Sequence, residues 1–458
     1  MFQGQESTLK KSPAAVQVAV EEAIQSTADP SRSTVPWDGL RDTFRRLRRA
    51  TELLCEPLDT EDFVVQTMPE VSPTKWHLGH TSWFFETFVL RRGLPAYAVL
   101  DGRYAYIFNS YYHAAGQRHP QSQRGLLSRP TVRQVLEYRR HVDGAMETFF
   151  AGASARTAAQ FAFVIELGIN HEEQHQELIL TDIKHVLASN PLEPVYQSID
   201  GQSISPAEPI RWIGFEGGIV DVGHAATDFA FDNEKPRHQV HLAPFELASR
   251  PVSCGEYLAF MQDGGYQRPE LWLSDGWDAV LRGGWRAPLY WTHIAGSWQL
   301  FSLHGRRRID PSEPVCHISY YEADAFARWA GARLPLEEEW EKASTGLSLE
   351  GNLLEAGHLH PRPAPARNGS ALKQMFGDIW EWTGSAYLPY PGFVPFAGAL
   401  GEYNGKFMSS RMVLRGGSCA QHRAVTFGTR TAISLPLKRA GNSAGCALRE
   451  QFERLLDC

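Results

Sequence analysis

His171 and His175 stand four residues apart in the stretch NHEEQHQELILTD (170–182), with Glu172 directly after the first. On a helix, positions four apart share a face, so the two imidazoles can bind one ion. The stripe through them runs Val164, Gly168, His171, His175, Leu178 and Asp182, a mostly apolar line that points into a core. Buried imidazoles need partners, and two on one inward stripe read as a metal pair. The same spacing occurs on zinc-peptidase helices, where the glutamate is the general base. Here the extended form of that motif fails, because Leu178 and Thr181 fill the positions that need Gly and His. A following helix cannot supply the third ligand either, since the chain beyond Ser189 enters a Pro-bearing stretch. A third ligand is better sought in KWHLGHTSWFFE (75–86), where an inward stripe of Trp76, His80, Trp83 or Phe84, and Thr87 would set His80 opposite the pair. His77 is its rival. Three neutral imidazoles without a carboxylate leave coordination positions open, and imidazole suits zinc, copper, iron and nickel alike.

Such ligands need helices to hold them. Residues 36–190 carry four stretches with helical apolar spacing: 37–58, 72–93, 129–152 and 154–189. Ser72-Pro73 opens the second as a cap followed by proline at the first helical position. Four long amphipathic helices predict a bundle. The connection 94–128 is long for a compact domain, and loops of that kind are usually functional. Residues 191–206 read as a Pro- and Ser-bearing linker, and residues 1–35 as a flexible arm. From 207 to 458 the helical period fades: short β-like runs (GGIVDVGH, HQVHLAPFELA, RMVLRGGS) alternate with Gly, Pro and Trp turns, around one clear helix at 319–331. This half reads as a loop-rich α+β domain.

The 458 residues carry 45 basic and 52 acidic side chains, a net charge of −7, which makes nucleic acid an unexpected partner. No apolar run reaches the ~18 residues of a membrane span, and the start lacks the apolar core of a signal peptide. A cytoplasmic enzyme is therefore expected. Six scattered cysteines without a C-x-x-C are expected to be free thiols.

Several segments, in order, carry a resemblance. FDNEKPRHQVHL, PVCHISYYEADAFARWAGARLPLEEEWEKA, GDIWEWTGS and VLRGGS resemble the formylglycine-generating-enzyme (sulfatase-modifying-factor) domain, a C-type-lectin-like fold. GHTSWFFE and HEEQH resemble a DinB-like bundle with a three-histidine metal site. The fusion of the two is similar to the ergothioneine-biosynthesis sulfoxide synthases (EgtB type). That resemblance implies a non-haem iron(II) enzyme that uses O2 to couple a thiol, cysteine or γ-glutamylcysteine, to the imidazole C2 of hercynine. A related C–S or C–Se bond-forming enzyme on another histidine derivative, of ovothiol or selenoneine type, is the alternative. Carried over residue by residue, the resemblance implies His80, His171 and His175 as ligands and Gln174 as a contact to the hercynine ring. Glu172, about 100° around the helix from His171, is then a structural charge.

Departures from the family pattern shape the remaining expectations. Only Cys419 follows the GGS motif, so formylglycine formation is not expected. In PYPGFVPF, Phe396 falls near the place of the family's catalytic tyrosine. The family's Arg-Asn-Trp-Asp stretch is replaced by TRTAISLP (429–436), which leaves Thr431 as the candidate substrate contact there and favours free cysteine as the thiol. Tyr111 and Tyr112 in the long loop are the candidate proton or hydrogen donors, expected to point apart, with Tyr111 preferred. Arg118 and Arg124 are candidates to grip the thiol's carboxylate.

Overall fold

The computed structural model describes residues 35–198, 207–226, 228–365 and 371–423, and the backbone of 431–434. The expected N-terminal arm, apart from Val35, and half of the expected linker (199–206) lie outside these residues, as do the side chain of Thr431 and Cys446 and Cys458.

Helices α1 (Trp37–Cys55), α2 (Thr74–Phe85), α3 (Val132–Gly152) and α4 (Ala155–Ser189) form the bundle. α2 runs on through a π turn, Glu86–Leu90, to Gly93. Thr131 caps α3 in a reciprocal box with Gln134, and Ser154 caps α4 through Thr157 N–H. The expected Ser72 cap of α2 does not form: Pro73 is the boundary residue, and the Ser72 hydroxyl instead accepts from Arg124 Nη1 at 2.8 Å. Every residue of α2 is buried, so this helix has no outer face. It can sit so close to its neighbours because two glycines make room. A Cβ on Gly79 would stand 2.2 Å from the Phe108 ring, and one on Gly168 of α4 would stand 2.7 Å from Phe85.

Glu172 ties the bundle together from the far side of α4. It accepts from Arg48 Nη1 (2.8 Å) and Thr51 Oγ1 (2.7 Å) on α1 and from Arg139 Nη2 (2.6 Å) on α3. Arg48 Nη2 continues to Ser82 Oγ on α2 at 2.8 Å. The glutamate is a structural charge, as read from the sequence.

The second half is built from short antiparallel strands. β1 (Trp212–Phe215) pairs with β4 (Phe245–Ala248), and β2 (Gly218–Val222) with β3 (His238–Leu242). β5 (Trp291–Ile294), β6 (Ser297–Ser302) and β7 (Gly305–Arg308) form a meander. β9 (Arg411–Arg415) lies between β8 (Glu381–Ala386) and β10 (Thr431–Ser434), with Thr431 opposite Leu414. Besides the expected helix at Tyr320–Trp329, there are helices at Cys254–Gln262, Ser274–Gly283 and Glu337–Ser344. Cys55, Cys254, Cys316 and Cys419 are buried free thiols. Among the described residues no helix is long and apolar enough to cross a membrane.

The two halves share a core. α4 has 35 residues, about 52 Å of rod. Its last turns bring Leu180, Ile183, Val186 and Leu187 into one apolar cluster with Phe301, Leu303, Leu359 and Ala420 of the second half. Polar contacts flank that cluster: Glu177 accepts from Trp380 Nε1 at 3.0 Å and from Ser418 Oγ at 2.5 Å, and Lys184 Nζ lies 2.6 Å from His317 Nε2.

Candidate metal centre and its surroundings

α2 and α4 bring His80, His171 and His175 together, all buried, with one ring nitrogen of each within 4.8 Å of the others. His80 Nδ1 lies 2.6 Å from the Phe108 carbonyl, which can only accept, so Nδ1 carries the proton and Nε2 keeps its lone pair. The Trp76 and Trp83 rings stack on the two sides of His80, at 4.7 and 5.5 Å between centroids, and hold its plane. His175 is oriented through a relay. Its Nδ1 lies 2.9 Å from His77 Nδ1, and His77 Nε2 lies 2.9 Å from Asp182 Oδ2, which also accepts from Ser72 N–H. Asp182 accepts a hydrogen bond from His77 Nε2–H and His77 Nδ1 accepts one from His175 Nδ1–H, so the lone pair of His175 Nε2 is left for a cation. His77 thus stands behind the cluster, orienting a ligand.

Burial pushes the His80 imidazole well below its ordinary range, and His171 beside it adds to the effect. Burial also pushes His171 down to about 3. Both rings are neutral, as metal ligation requires. His171 Nε2 is 3.2 Å from His80 Nε2, and His171 Nδ1 has no hydrogen-bond partner among the described residues. Two nitrogens bound at about 2.0–2.2 Å and at right angles to one ion stand about 3 Å apart. The donor set therefore fits a first-row divalent cation, with no carboxylate among its ligands.

Above the cluster the second half closes in. Tyr403 stands with its ring 5.6 Å from that of His171, and its hydroxyl donates to Gln174 Oε1. Sequence reasoning did not find Tyr403. Phe396, expected near the place of the family's tyrosine, instead packs on Phe163 at 5.1 Å, two helical turns before His171.

Tyr111 and Tyr112 do not point apart. Their rings stack at 4.6 Å with 24° between planes. The reason is local: Tyr112 has φ −78° and ψ 82°, and His113 N–H donates to the Tyr111 carbonyl at 3.0 Å, an inverse γ-turn centred on Tyr112. Tyr112 is fully buried against Trp83 and Phe88, each 5.5 Å away, while Tyr111 is half-buried and faces Phe407 and Tyr403. Arg124 is buried, its guanidinium 3.3 Å over the Trp76 ring and bonded to Ser72. Arg118 is half-buried in the same loop.

The chain thus joins a helical bundle with three inward histidines to an α+β domain of short antiparallel strands. Residues 43–179 match the DinB superfamily and residues 207–443 match the sulfatase-modifying factor enzyme 1-like domain. The chain is 32% identical over 400 residues to a hercynine oxygenase of Mycobacterium tuberculosis, covering 82% of this chain and 91% of that protein. It is 32% identical over 395 residues to a hercynine oxygenase of Mycolicibacterium thermoresistibile, covering 77% and 81%. A formylglycine-generating enzyme of Streptomyces coelicolor is 28% identical over 271 residues, covering 50% of this chain and 85% of that one. The chain belongs to the hercynine oxygenase family, in which a DinB-like bundle is joined to a sulfatase-modifying-factor-like domain.

Proposed function

We propose that the chain is an iron(II)- and O2-dependent sulfoxide synthase of ergothioneine formation, with hercynine as acceptor and free cysteine as thiol. The observation that supports this best is the trio of buried imidazoles His80, His171 and His175, with Gln174 and Tyr403 beside them. Iron held there supplies reactivity towards O2 and stabilises a thiolate.

The chemistry balances as thiol plus hercynine plus O2 giving sulfoxide plus water. The S–H and C2–H bonds break, a C–S and an S–O bond form, and both hydrogens leave with the second oxygen atom. Of the four electrons that reduce O2, two are released as the S–H and C2–H bonds are replaced by C–S, and two come from a sulfur lone pair as S–O forms. Gln174, an amide on the rim of the site, orients the hercynine ring by hydrogen bonding to an imidazole nitrogen. A phenol of Tyr111 or Tyr112, protonated at neutral pH, delivers a proton from Oη to the oxygen that departs as water. Without prompt delivery the same thiol and O2 combine to the sulfinate, a competing and equally balanced outcome. Arg118 grips the carboxylate of cysteine. Arg124, engaged with Ser72 and Trp76, backs the wall behind His80 instead. Thr431 remains the proposed contact at the β9–β10 edge.

The test is oxygen uptake and product mass with hercynine and either cysteine or γ-glutamylcysteine, beside metal analysis. Iron at one equivalent, lost in His80→Ala, and a cysteine-derived sulfoxide are expected. Zinc with no oxygen uptake overturns the reading, and equal turnover of the dipeptide overturns the choice of thiol. Tyr111→Phe, Tyr112→Phe and the double variant are expected to lose sulfoxide and gain sulfinate. Wild-type ratios in all three remove the tyrosines from the reaction.

A further inference from the structure

The turn that stacks Tyr111 on Tyr112 is closed from outside the bundle. A γ-turn has a single bent hydrogen bond of its own, so its surroundings must hold it. Here a short segment of the second half does so. Glu402 accepts from the backbone N–H of His113 at 3.0 Å and of Ala114 at 2.7 Å. Lys406 donates to the Tyr111 carbonyl oxygen and lies 4.8 Å over the Tyr111 ring. Glu402 and Lys406 pair with each other at 3.3 Å, four residues apart. The two charges therefore grip the turn at its polar ends: the anion on the amides that leave it, the cation on the carbonyl that enters it. Both are charge-assisted contacts on a partly buried interface, the stronger kind of hydrogen bond. Between them in sequence stands Tyr403, reaching Gln174 on α4. Phe407 meets the Tyr111 ring edge-on at 5.1 Å.

We infer that Glu402 and Lys406 are positioning residues. They impose the conformation at Tyr112 and so set where both phenols stand relative to the histidine cluster. The consequence for product rests on the proposed role of those phenols, whereas the grip on the backbone does not. Because the segment spanning Glu402, Tyr403 and Lys406 touches both the tyrosine turn and the metal helix, docking of the second half completes the catalytic constellation.

The experiment uses the full-length, iron-loaded enzyme. In Glu402→Gln an NH2 group, which cannot accept, replaces one of the two carboxylate oxygens that hold the turn, so amide hydrogen exchange at His113 and Ala114 is expected to rise on the order of tenfold. Exchange in α4 should be unchanged. Lys406→Met gives a second variant with the same expectation for the turn. The sulfoxide-to-sulfinate ratio is expected to fall in each. Adding Glu402→Gln to the Tyr111→Phe/Tyr112→Phe double variant should change the ratio no further, since the effect acts through the phenols. Unchanged exchange in both variants overturns the inference, as does a wild-type ratio in Glu402→Gln when the tyrosine variants themselves shift it. Faster exchange alongside tyrosine variants of wild-type ratio supports the grip and defeats the proposed role of the phenols.

Discussion

Glu172 and Glu177 sit on the same helix, both fully enclosed, yet in opposite electrostatic states. Burial pushes Glu172 up, but the Arg139 and Arg48 guanidiniums outweigh it and hold the carboxyl at about 2. Among the described residues Glu177 is hydrogen-bonded by the Ser418 hydroxyl and the Trp380 indole, and burial pushes it up to about 7. One carboxylate lies inside the bundle and the other on the seam between the halves. The difference teaches how each region is specified. The bundle interior neutralises charge with countercharge from two neighbouring helices, which holds its register at any pH above about 2. The seam is joined by hydrogen bonds to a group that prefers to be protonated, so its strength changes across neutral pH.

The comparison can be broken most severely at Arg139. Arg139→Met strands Glu172 beside a single guanidinium, and chemical denaturation should record a loss of about 3–5 kcal/mol. A loss under 1 kcal/mol would mean that the bundle does not depend on that countercharge. At the seam the sign reverses. Glu177 has a folded value of about 7 against its ordinary 4.5. Its stabilisation is complete below pH 4.5 and is lost as pH rises through about 7. In metal-free protein, Glu177→Gln keeps an acceptor for Ser418 and Trp380 without the charge. It should gain up to about 3 kcal/mol over wild type at pH 8 and little at pH 4.5. Equal stability of the two proteins across that range would remove the contrast. A smaller effect is expected at His77, which acts on the cluster through His175: His77→Ala should weaken metal binding about 10- to 100-fold without abolishing it. If His77→Ala loses all metal while His80→Ala retains it, the roles of the two histidines are exchanged. The smallest change is expected from Gln174→Ala, a rise of about tenfold in apparent KM for hercynine at constant metal content, the worth of one hydrogen bond. An unchanged KM takes Gln174 out of the acceptor site.

How much of this was legible depended on periodicity. His171 and His175 announce themselves, because a four-residue spacing on a long helix has one geometric meaning. An inward stripe favoured His80 over His77 but left His77 without a role, since α2 is buried all round and offers both to the core. Their different roles come from Phe108 and Asp182, partners distant in sequence. The domain types followed from motifs in order. The helix Cys254–Gln262 carried a readable signal, the Ser253/Glu256 capping box, that the β-like texture around it masked. Tyr403 carried none: it lies in an aperiodic loop and meets Gln174 across 229 residues. The stacking of Tyr111 on Tyr112 was equally hidden, because it depends on a turn closed by Glu402 and Lys406.

The length of α4 sets a limit on modularity. Read along the chain, the first half ends near residue 190, and a gene cut there would appear to release an intact bundle. In space the last three turns of that helix already belong to the other half, where Leu180, Ile183 and Leu187 meet Phe301 and Leu303. An excised bundle would expose that apolar strip to water, and the remainder would keep a matching trough with nothing in it. His171 and His175 sit midway along the same rod, so grafting a foreign second half onto this bundle, or this one onto another, would have to match that helix end turn for turn.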